Sequence, residues 1–159
     1  KKQNFNISDE NIKTGLIKVH QNTGFIGRWF EFSQNPLTIC DTGHNQAGLE
    51  YVFSQLNSIP KHKHIVLGFV NDKKIDDIMS ILPENSEFYF AKPNNNRGRH
   101  PDEYEDLLKN SKIIYKIFNS VQEAYLSAKQ KCTDEEMIFI GGSNFVVGEF
   151  LEKNLTDIK

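Results

Sequence analysis

The stretch that decides the fold is residues 36–70, which read PLTICDTGHNQAGLEYVFSQLNSIPKHKHIVLGFV. This stretch begins with a short β-prone run that ends at Asp41, and it closes with a continuous apolar run over residues 64–70. Between the two runs, residues 46–56 carry apolar side chains at helical spacing: Leu49, Val52, Phe53 and Leu56. A strand, a helix and a second strand in this order predict a βαβ unit with parallel strands.

The same alternation continues along the rest of the chain. Three further strands are predicted from apolar, β-prone runs: residues 87–91, 113–117 and 137–140. Four further helices are predicted between and after them: residues 73–82, 101–110, 120–131 and 145–154. Such alternation is typical of an α/β fold in which helices cover both faces of the sheet. We therefore predict an open, doubly wound, mainly parallel sheet of the Rossmann-like type.

The amino-terminal residues precede this repeating pattern. A short helix is predicted from Ser8 to about Val19, because Ser8 is a good N-cap and acidic residues follow it. Residues 28–32 are predicted to be extended. The sequence therefore predicts a linker with one helix over residues 1–22 and a single α/β domain over residues 23–159.

The composition excludes several classes of protein. The 159 residues are 38% hydrophobic and 25% charged, a balance typical of a globular protein and not of a disordered one. The net charge of −2 argues against a nucleic-acid-binding surface built on bulk positive charge. No apolar run approaches the roughly 18 residues of a membrane helix. Cys40 and Cys132 lack the spacing of metal ligands and suggest a reducing compartment. The sequence thus predicts a cytoplasmic protein with no nucleic-acid or membrane partner.

Polar residues concentrate in the loops that leave the predicted strands. In open α/β sheets, ligands bind beyond the carboxyl ends of the strands. The loop after the first strand of the repeating pattern carries Asp41, His44 and Asn45, the loop after the third carries Arg97, and the loop after the fifth carries Gly141-Gly142-Ser143. We therefore predict a polar site at the carboxyl edge of the sheet.

Arginine is rare in this chain, because only three of its 19 basic residues, Arg28, Arg97 and Arg99, are not lysine. Each of the three lies beside a glycine, Gly27 or Gly98. A planar guanidinium binds phosphate or carboxylate bidentately, which lysine does not do. The arginines are therefore candidates for binding an anion, and the alternative is that they are ordinary surface loop residues.

The candidate residues also have purely structural interpretations. Asp41 or Asn45 could simply cap the helix that follows them. His44 could be a hydrogen-bonded turn residue, and Gly141-Gly142-Ser143 could be a tight turn that ends in a serine N-cap. The residue types alone leave both interpretations open.

Several other sites are excluded. Residues 61–64, Lys-His-Lys-His, suggest a metal, but neighbouring residues on a strand face opposite ways and no third ligand is expected nearby, so we predict no metal site. Asp41-Thr42-Gly43 matches a motif of aspartic proteases, but those enzymes need an all-β frame and a helical pattern follows here. The dinucleotide fingerprint Gly-x-Gly-x-x-Gly is missing, and so is the phosphate-binding Gly-x-x-x-x-Gly-Lys-Ser/Thr. If the site binds ATP, the triphosphate must therefore be held largely by groups other than such a loop.

A family resemblance rests on Gly27-Arg28 and on the later run Pro36-Leu37-Thr38-Ile39-Cys40-Asp41-Thr42-Gly43-His44-Asn45. Together these resemble the carboxyl-terminal domain of Mur-type ligases, and among them folylpolyglutamate synthase/dihydrofolate synthase. That family typically has Gly-Arg, an apolar strand and then Asp-Gly-Ala-His-Asn opening a helix. The resemblance extends over about residues 12–151, with Thr42-Gly43 as a departure from Gly-Ala.

The resemblance implies a role for each candidate residue. Arg28 and Asp41 match the ATP-binding arginine and aspartate of the family. His44 matches the catalytic histidine, which faces the point where an acyl phosphate meets the incoming glutamate. Three further residues would contact the glutamate or the intermediate: Asn45, Arg97 and Ser143.

The resemblance also implies an activity for the full-length protein. That protein would use ATP and magnesium to phosphorylate a carboxylate of a folate or dihydropteroate and would then join L-glutamate to it. The phosphate-binding loop and the magnesium ligands would lie in an upstream ATPase domain of the same polypeptide, to which residues 1–22 would connect. Residues 23–159 would be the Mur ligase-type carboxyl-terminal domain, inactive alone. Two alternatives remain: a different Mur-type ligase, of cell-wall peptide synthesis, and a non-catalytic nucleotide-binding module.

Overall fold

The computed structural model describes residues 6–70 and 75–155. Over these ranges the chain forms six strands: β1 (Phe30–Gln34), β2 (Leu37–Asp41), β3 (Lys63–Leu67), β4 (Ser86–Ala91), β5 (Ile114–Phe118) and β6 (Met137–Gly141). The α-helices of the same ranges are α1 (Asp9–Ile17), α2 (Val19–Thr23), α3 (Gln46–Asn57), α4 (Ile75–Met79), α5 (Glu105–Asn110), α6 (Val121–Lys131) and α7 (Asn144–Asn154). A single 3₁₀ turn, Pro101–Tyr104, leads into α5.

The strands form one sheet in the order β1-β2-β6-β3-β4-β5. All neighbouring pairs are parallel except β1 and β2, which form an antiparallel pair at one edge. The last strand, β6, lies between β2 and β3, so the chain passes over one sheet position between those two strands. The predicted open, mainly parallel sheet is confirmed.

The central strands bury side chains on both faces, which explains their continuous apolar runs. Alternate residues of β6 show this, because Phe139 belongs to one core and Ile138 and Ile140 belong to the other. The first core is closed by α3, α4 and α5, and the second by α6 and α7. The prediction that helices cover both faces is therefore confirmed.

Several boundaries differ from the predicted ones. The strand predicted over residues 64–70 is β3, which ends at Leu67. The next residue, Gly68, is tightly packed, because a Cβ there would lie 2.6 Å from the Ala91 carbonyl oxygen and 2.7 Å from Val146. The extended segment predicted at residues 28–32 is the edge strand β1, displaced by two residues. The helix predicted over residues 73–82 is observed as α4, and residues 73 and 74 lie outside the described residues. In the described part of the chain, no helix combines the length and the apolar character needed to cross a membrane.

The two amino-terminal helices contribute nothing to either core. Neither α1 nor α2 buries a residue, although the Ser8 hydroxyl caps α1 by accepting from the Asn11 N–H. Ile12 is 51% exposed, and Leu16 and Ile17 are each 70% exposed. The described part of the chain therefore leaves an apolar surface on α1 uncovered.

Candidate functional site

The connections at the carboxyl ends of β2 and β6 diverge to opposite faces of the sheet. The chain leaves β2 for α3, which packs on one face, and leaves the neighbouring β6 for α7, which packs on the other. Divergence of this kind opens a crevice beyond the strand ends, and ligands of open α/β sheets bind there. Asp41 is the last residue of β2, His44 follows that strand and Ser143 follows β6, so the fold brings these predicted residues to one crevice.

Asp41 joins the end of β2 to the segment that precedes β1. One of its carboxylate oxygens, Oδ1, accepts from the Gly43 N–H at 2.6 Å, and Oδ2 accepts from the Trp29 N–H at 2.8 Å. The residue is only 6% exposed. Each carboxylate oxygen has a second lone pair, so Asp41 can hold the loop and still accept one further hydrogen bond.

Arg28 lies over the same carboxylate. Its Nη1 is 3.7 Å from Asp41 Oδ1, and its side chain is 53% exposed, so the guanidinium faces solvent as well as Asp41. The preceding residue, Gly27, has φ +91°, and its carbonyl accepts from the Thr42 N–H at 2.8 Å. Backbone bonds on both sides of Arg28 therefore fix it beside Asp41, and its charge is open to an anion from solvent.

A cleft of about 490 Å³ lies next to this pair of charges. Its wall includes Arg28 and Asp41 together with Trp29 and Tyr51. Trp29 has φ +43°, an uncommon conformation for a bulky residue that the hydrogen bond to Asp41 holds in place. Tyr51 is a large aromatic side chain that stays 69% exposed on α3. The cleft thus combines a cation, a carboxylate and two aromatic side chains.

Neither aromatic residue was among the predicted site residues. Trp29 is the only tryptophan in the chain and directly follows Arg28, which was a usable signal. Tyr51 lies outside the apolar stripe of its helix, so an amphipathic pattern assigns it to solvent and gives no sign that it lines a cleft.

His44 lies in the loop between β2 and α3, and a hydrogen bond holds its ring in place. Nδ1 lies 3.1 Å from the Thr42 carbonyl oxygen. Because a carbonyl only accepts, Nδ1 is the protonated nitrogen, and a neutral His44 carries its lone pair on Nε2. The next residue, Asn45, caps α3 by accepting from the Gly48 N–H at 2.8 Å, which confirms the structural interpretation of Asn45.

Ser143 occupies the corresponding position before α7. Its Oγ accepts from the Val146 N–H at 3.2 Å, and the residue is 2% exposed, so it is the N-cap that the sequence also allowed. The preceding residue, Gly142, has φ +92°, and a Cβ there would lie 2.8 Å from the Gly68 carbonyl oxygen. The turn therefore has no room for a side chain at residue 142.

Arg97 lies on a different part of the carboxyl edge. Its loop leaves β4, which is three sheet positions from β2, and its backbone N–H donates to Asn95 Oδ1 at 2.8 Å. Part of this loop borders a second cleft of about 680 Å³, and the Asn94 N–H ties the loop to Glu149 of α7. The structure therefore associates Arg97 with the β4 end of the sheet and not with the pair formed by Arg28 and Asp41.

Cys40 is adjacent to the site but is not available for chemistry. It is fully buried in the core covered by α6 and α7. Burial raises the pKa of the Cys40 thiol, and the neighbouring Asp41 carboxylate raises it further. The thiol therefore stays protonated and acts as a packing group.

The opposite, amino edge of the sheet carries a second group of polar side chains. His62 and His64 present their rings to one another with centroids 5.2 Å apart, and Glu136 Oε2 lies 3.2 Å from His64 Nε2. The expectation that no third potential ligand accompanies the two histidines is therefore wrong. Pairing of β6 with β3 brings Glu136 to the histidines from more than 70 residues along the chain.

Comparison with known proteins gives consistent matches. Residues 27–144 match the family described as "Mur ligase, glutamate ligase domain". Two curated relatives, both named dihydrofolate synthase/folylpolyglutamate synthase, come from Buchnera aphidicola of Schizaphis graminum (24% identity, 88% of this chain and 33% of the relative) and of Baizongia pistaciae (26% identity, 97% and 41%). The chain thus spans about a third to two fifths of the length of the curated relatives it matches.

A solved structure resembles the whole described fold. The structure is a bifunctional folylpolyglutamate synthase/dihydrofolate synthase with Mn, AMPPNP and L-glutamate bound. It is 26% identical, with a TM-score of 0.76 over 94% of this chain and 36% of the solved chain. A second structure of a bifunctional folylpolyglutamate synthase/dihydrofolate synthase, from Yersinia pestis and complexed with AMPPNP and Mn, is 27% identical, with a TM-score of 0.79 over 94% of this chain and 35% of the solved chain. The range matched by the family, residues 27–144, contains the Gly27-Arg28 element, the Asp41–His44 element and Ser143. The chain therefore belongs to the family of Mur ligase glutamate ligase domains.

Proposed function

We propose that this chain is the carboxyl-terminal domain of an ATP-dependent ligase that adds L-glutamate to a carboxylate of a folate or dihydropteroate. The observation that carries the proposal is the pairing of a solvent-open Arg28 with a buried Asp41 at the crevice between β2 and β6. The family membership and the relatives named for folate substrates support this choice of substrate class. The solved relative has AMPPNP and L-glutamate bound, which supports ATP and glutamate as co-substrates.

Arg28 and Asp41 are proposed to hold the nucleotide. A guanidinium binds phosphate oxygens through two parallel hydrogen bonds, and Arg28 has the exposure to do so. Asp41 keeps Arg28 in place and has a lone pair left for a nucleotide hydroxyl. Trp29 and Tyr51 offer aromatic surface in the same cleft, on which a base could stack.

The remaining candidates are proposed to act on the glutamate or the acyl phosphate. His44 is the proposed catalytic residue, because a neutral ring presents the lone pair of Nε2, which can accept a proton from the incoming amine. Asn45 and Ser143 already use their side-chain oxygens as helix caps. We therefore propose that they act by positioning the amino-terminal ends of α3 and α7 at the crevice. Ser143 also retains a hydroxyl proton that it can donate. Arg97 is proposed to meet the substrate from the β4 side.

Magnesium does not fit the residues of this crevice. Magnesium needs carboxylate or water oxygens in near-octahedral geometry. The buried carboxylate of the crevice, Asp41, already accepts one backbone N–H on each oxygen, and the adjacent Arg28 guanidinium repels a second cation. We therefore propose that the magnesium of the full-length enzyme is held by another domain.

An upstream ATPase domain of the same polypeptide is proposed as the partner of this chain. The curated relatives are more than twice as long as the matched part, and α1 exposes Leu16 and Ile17 without a covering element in the described residues. Residues 1–22 are proposed as the link to that domain. The coding sequence upstream of Lys1 tests the proposal: a phosphate-binding loop ending in Gly-Lys-Ser/Thr would support it, and a start codon directly before Lys1 would contradict it.

The substrate class is tested by supplying acceptors separately to the full-length protein. With ATP and L-glutamate present, phosphate release is expected to depend on a folate or dihydropteroate. Release that depends instead on a nucleotide-linked muramoyl peptide would identify a cell-wall ligase. No phosphate release above background with either acceptor would favour the non-catalytic nucleotide-binding module.

Replacing Arg28 tests the nucleotide contact. In the full-length protein, Arg28→Ala should raise the KM for ATP roughly 10- to 100-fold, because a hydrogen-bonded contact to a charged group contributes about 1.5–3 kcal/mol. Arg28→Lys should restore only part of the loss, since an ammonium lacks the fork of donors. Steady-state kinetics at varied ATP provide the measurement.

The matched control for Arg28 is Lys116→Ala, which removes one exposed positive charge from β5. This control should leave the KM for ATP unchanged. Equal effects of Arg28→Ala and Lys116→Ala would show that only the net charge matters and that Arg28 does not contact the nucleotide.

A further inference from the structure

His62, His64 and Glu136 lie together at the amino edge of the sheet, away from the proposed nucleotide crevice. His64 is the second residue of β3, His62 directly precedes that strand, and Glu136 directly precedes β6. Residues two apart in an extended segment face the same side. Each of the three side chains offers one ligand atom within 4.8 Å of the other two.

The ring of His64 is held in place from its other side. Its Nδ1 lies 3.0 Å from the Tyr89 hydroxyl oxygen, a group that can both donate and accept. His64 is only 1% exposed, and Tyr89 is fully buried beside it. This contact orients the imidazole from the core of the protein.

Nε2 of His64 is directed toward Glu136. The Glu136 oxygen, 3.2 Å from Nε2, also accepts from the Thr133 N–H at 2.9 Å. Thr133 therefore holds this carboxylate beside the histidine, and the carboxylate keeps lone pairs for a further partner. An imidazole nitrogen and a carboxylate oxygen held this close together can act as two ligands of one metal ion.

The geometry suits a transition metal ion with nitrogen and oxygen ligands. In a tetrahedral zinc site with bonds of about 2.0–2.1 Å, two ligand atoms lie roughly 3.3 Å apart. His64 Nε2 and Glu136 Oε2 are 3.2 Å apart. His62 is tied by its Nδ1 to Asn85 Oδ1 at 3.1 Å, just as His64 is tied to Tyr89, and such outer contacts orient metal-binding imidazoles.

We propose that His62, His64 and Glu136 form a binding site for a zinc-like divalent transition metal ion. Two histidines and one carboxylate supply three ligands, and the partial exposure of Glu136 leaves access for a water as the fourth. The ion joins the start of β3 to the turn before β6. The site is independent of the proposed ligase activity, because it lies at the opposite edge of the sheet.

Titration of the metal-stripped protein with Co²⁺ tests the site, because tetrahedral Co²⁺ absorbs visible light strongly and Zn²⁺ should then displace it. We expect one Co²⁺ per chain with tetrahedral absorption, and a higher melting temperature with added Zn²⁺. Glu136→Gln keeps an acceptor for the Thr133 N–H but loses the charged ligand, so Co²⁺ affinity should fall at least about tenfold. His62→Ala should abolish the tetrahedral spectrum.

Tyr89→Phe separates metal binding from a merely structural role. The phenylalanine keeps the ring in the core but removes the hydroxyl that orients His64, so Co²⁺ affinity should fall by roughly 10- to 100-fold. His20→Ala and Cys132→Ser are the controls, since neither residue belongs to the three ligands. Absence of a tetrahedral Co²⁺ spectrum in the unaltered protein would overturn the proposal, as would binding that survives both His62→Ala and Glu136→Gln.

Discussion

The chain by itself is expected to form no glutamate amide and to release no phosphate from ATP. Its crevice offers a nucleotide one arginine, Arg28, paired with one carboxylate, Asp41, and the Arg28 side chain is half exposed. The sequence contains no Gly-x-x-x-x-Gly-Lys-Ser/Thr loop to surround a triphosphate. Transfer of a phosphoryl group needs the nucleotide positioned and shielded from water, which an open cleft on one domain does not provide.

Phosphate release and glutamate incorporation by the purified chain, measured beside the full-length protein, test this expectation. The chain must be folded in the assay, which a cooperative thermal transition would establish. Turnover by the folded chain above background would contradict the two-domain proposal. An inactive full-length protein would contradict the proposed ligase activity itself, so the two failures can be told apart.

The fold was predictable because its determinants are local and periodic. Continuous apolar runs identify β3, β4 and β6 as strands buried on both faces, and the spacing of Leu49, Val52 and Phe53 identifies α3. The position of β6 between β2 and β3 was not predictable in the same way. It depends on which strands pair across more than 90 residues, and no local pattern encodes that choice.

The candidate site was predictable at residues that the chain order itself places together. Asp41 ends one strand, and His44 and Asn45 follow it directly. Arg28 was a candidate both because arginine is rare in this chain and because of the family resemblance. Contacts that need the folded sheet were missed, and Glu136 beside His64 is the clearest example. Those two residues meet only because β6 returns to pair with β3.

The structure also changes the roles assigned to some of the predicted residues. Asn45 and Ser143 were candidates for substrate contacts, and both prove to have a helix-capping bond that local sequence alone explains. Asp41, by contrast, is not a helix cap. It bonds the Trp29 N–H, twelve residues earlier in the chain, so its structural role could not be read from the residues that follow it.

Replacing Asp41 is expected to lower both stability and nucleotide affinity. Asp41→Ala leaves the N–H groups of Trp29 and Gly43 without their acceptors, in a place where Asp41 itself is 6% exposed. A buried donor left unpaired costs about 1–3 kcal/mol, so loss of the buried Gly43 bond alone should lower the free energy of unfolding by about that amount, and loss of the partly buried Trp29 bond should lower it further. Urea denaturation of the chain gives this quantity, and Asp134→Ala, an exposed aspartate in a turn, should stay within about 0.5 kcal/mol of the unaltered protein.

The same variant separates the nucleotide role of Asp41 from its structural role. In the full-length protein, assayed at a temperature where Asp41→Ala is fully folded, the KM for ATP should rise more than the KM for the folate acceptor. The reason is that Asp41 holds Arg28 and the wall of the cleft beside it, and both are proposed to hold the nucleotide and not the folate acceptor. A larger rise in the KM for folate would mean that Asp41 is not a nucleotide contact. Equal rises in both, with stability lost as expected, would mean that Asp41 acts only by holding β2 to the segment before β1.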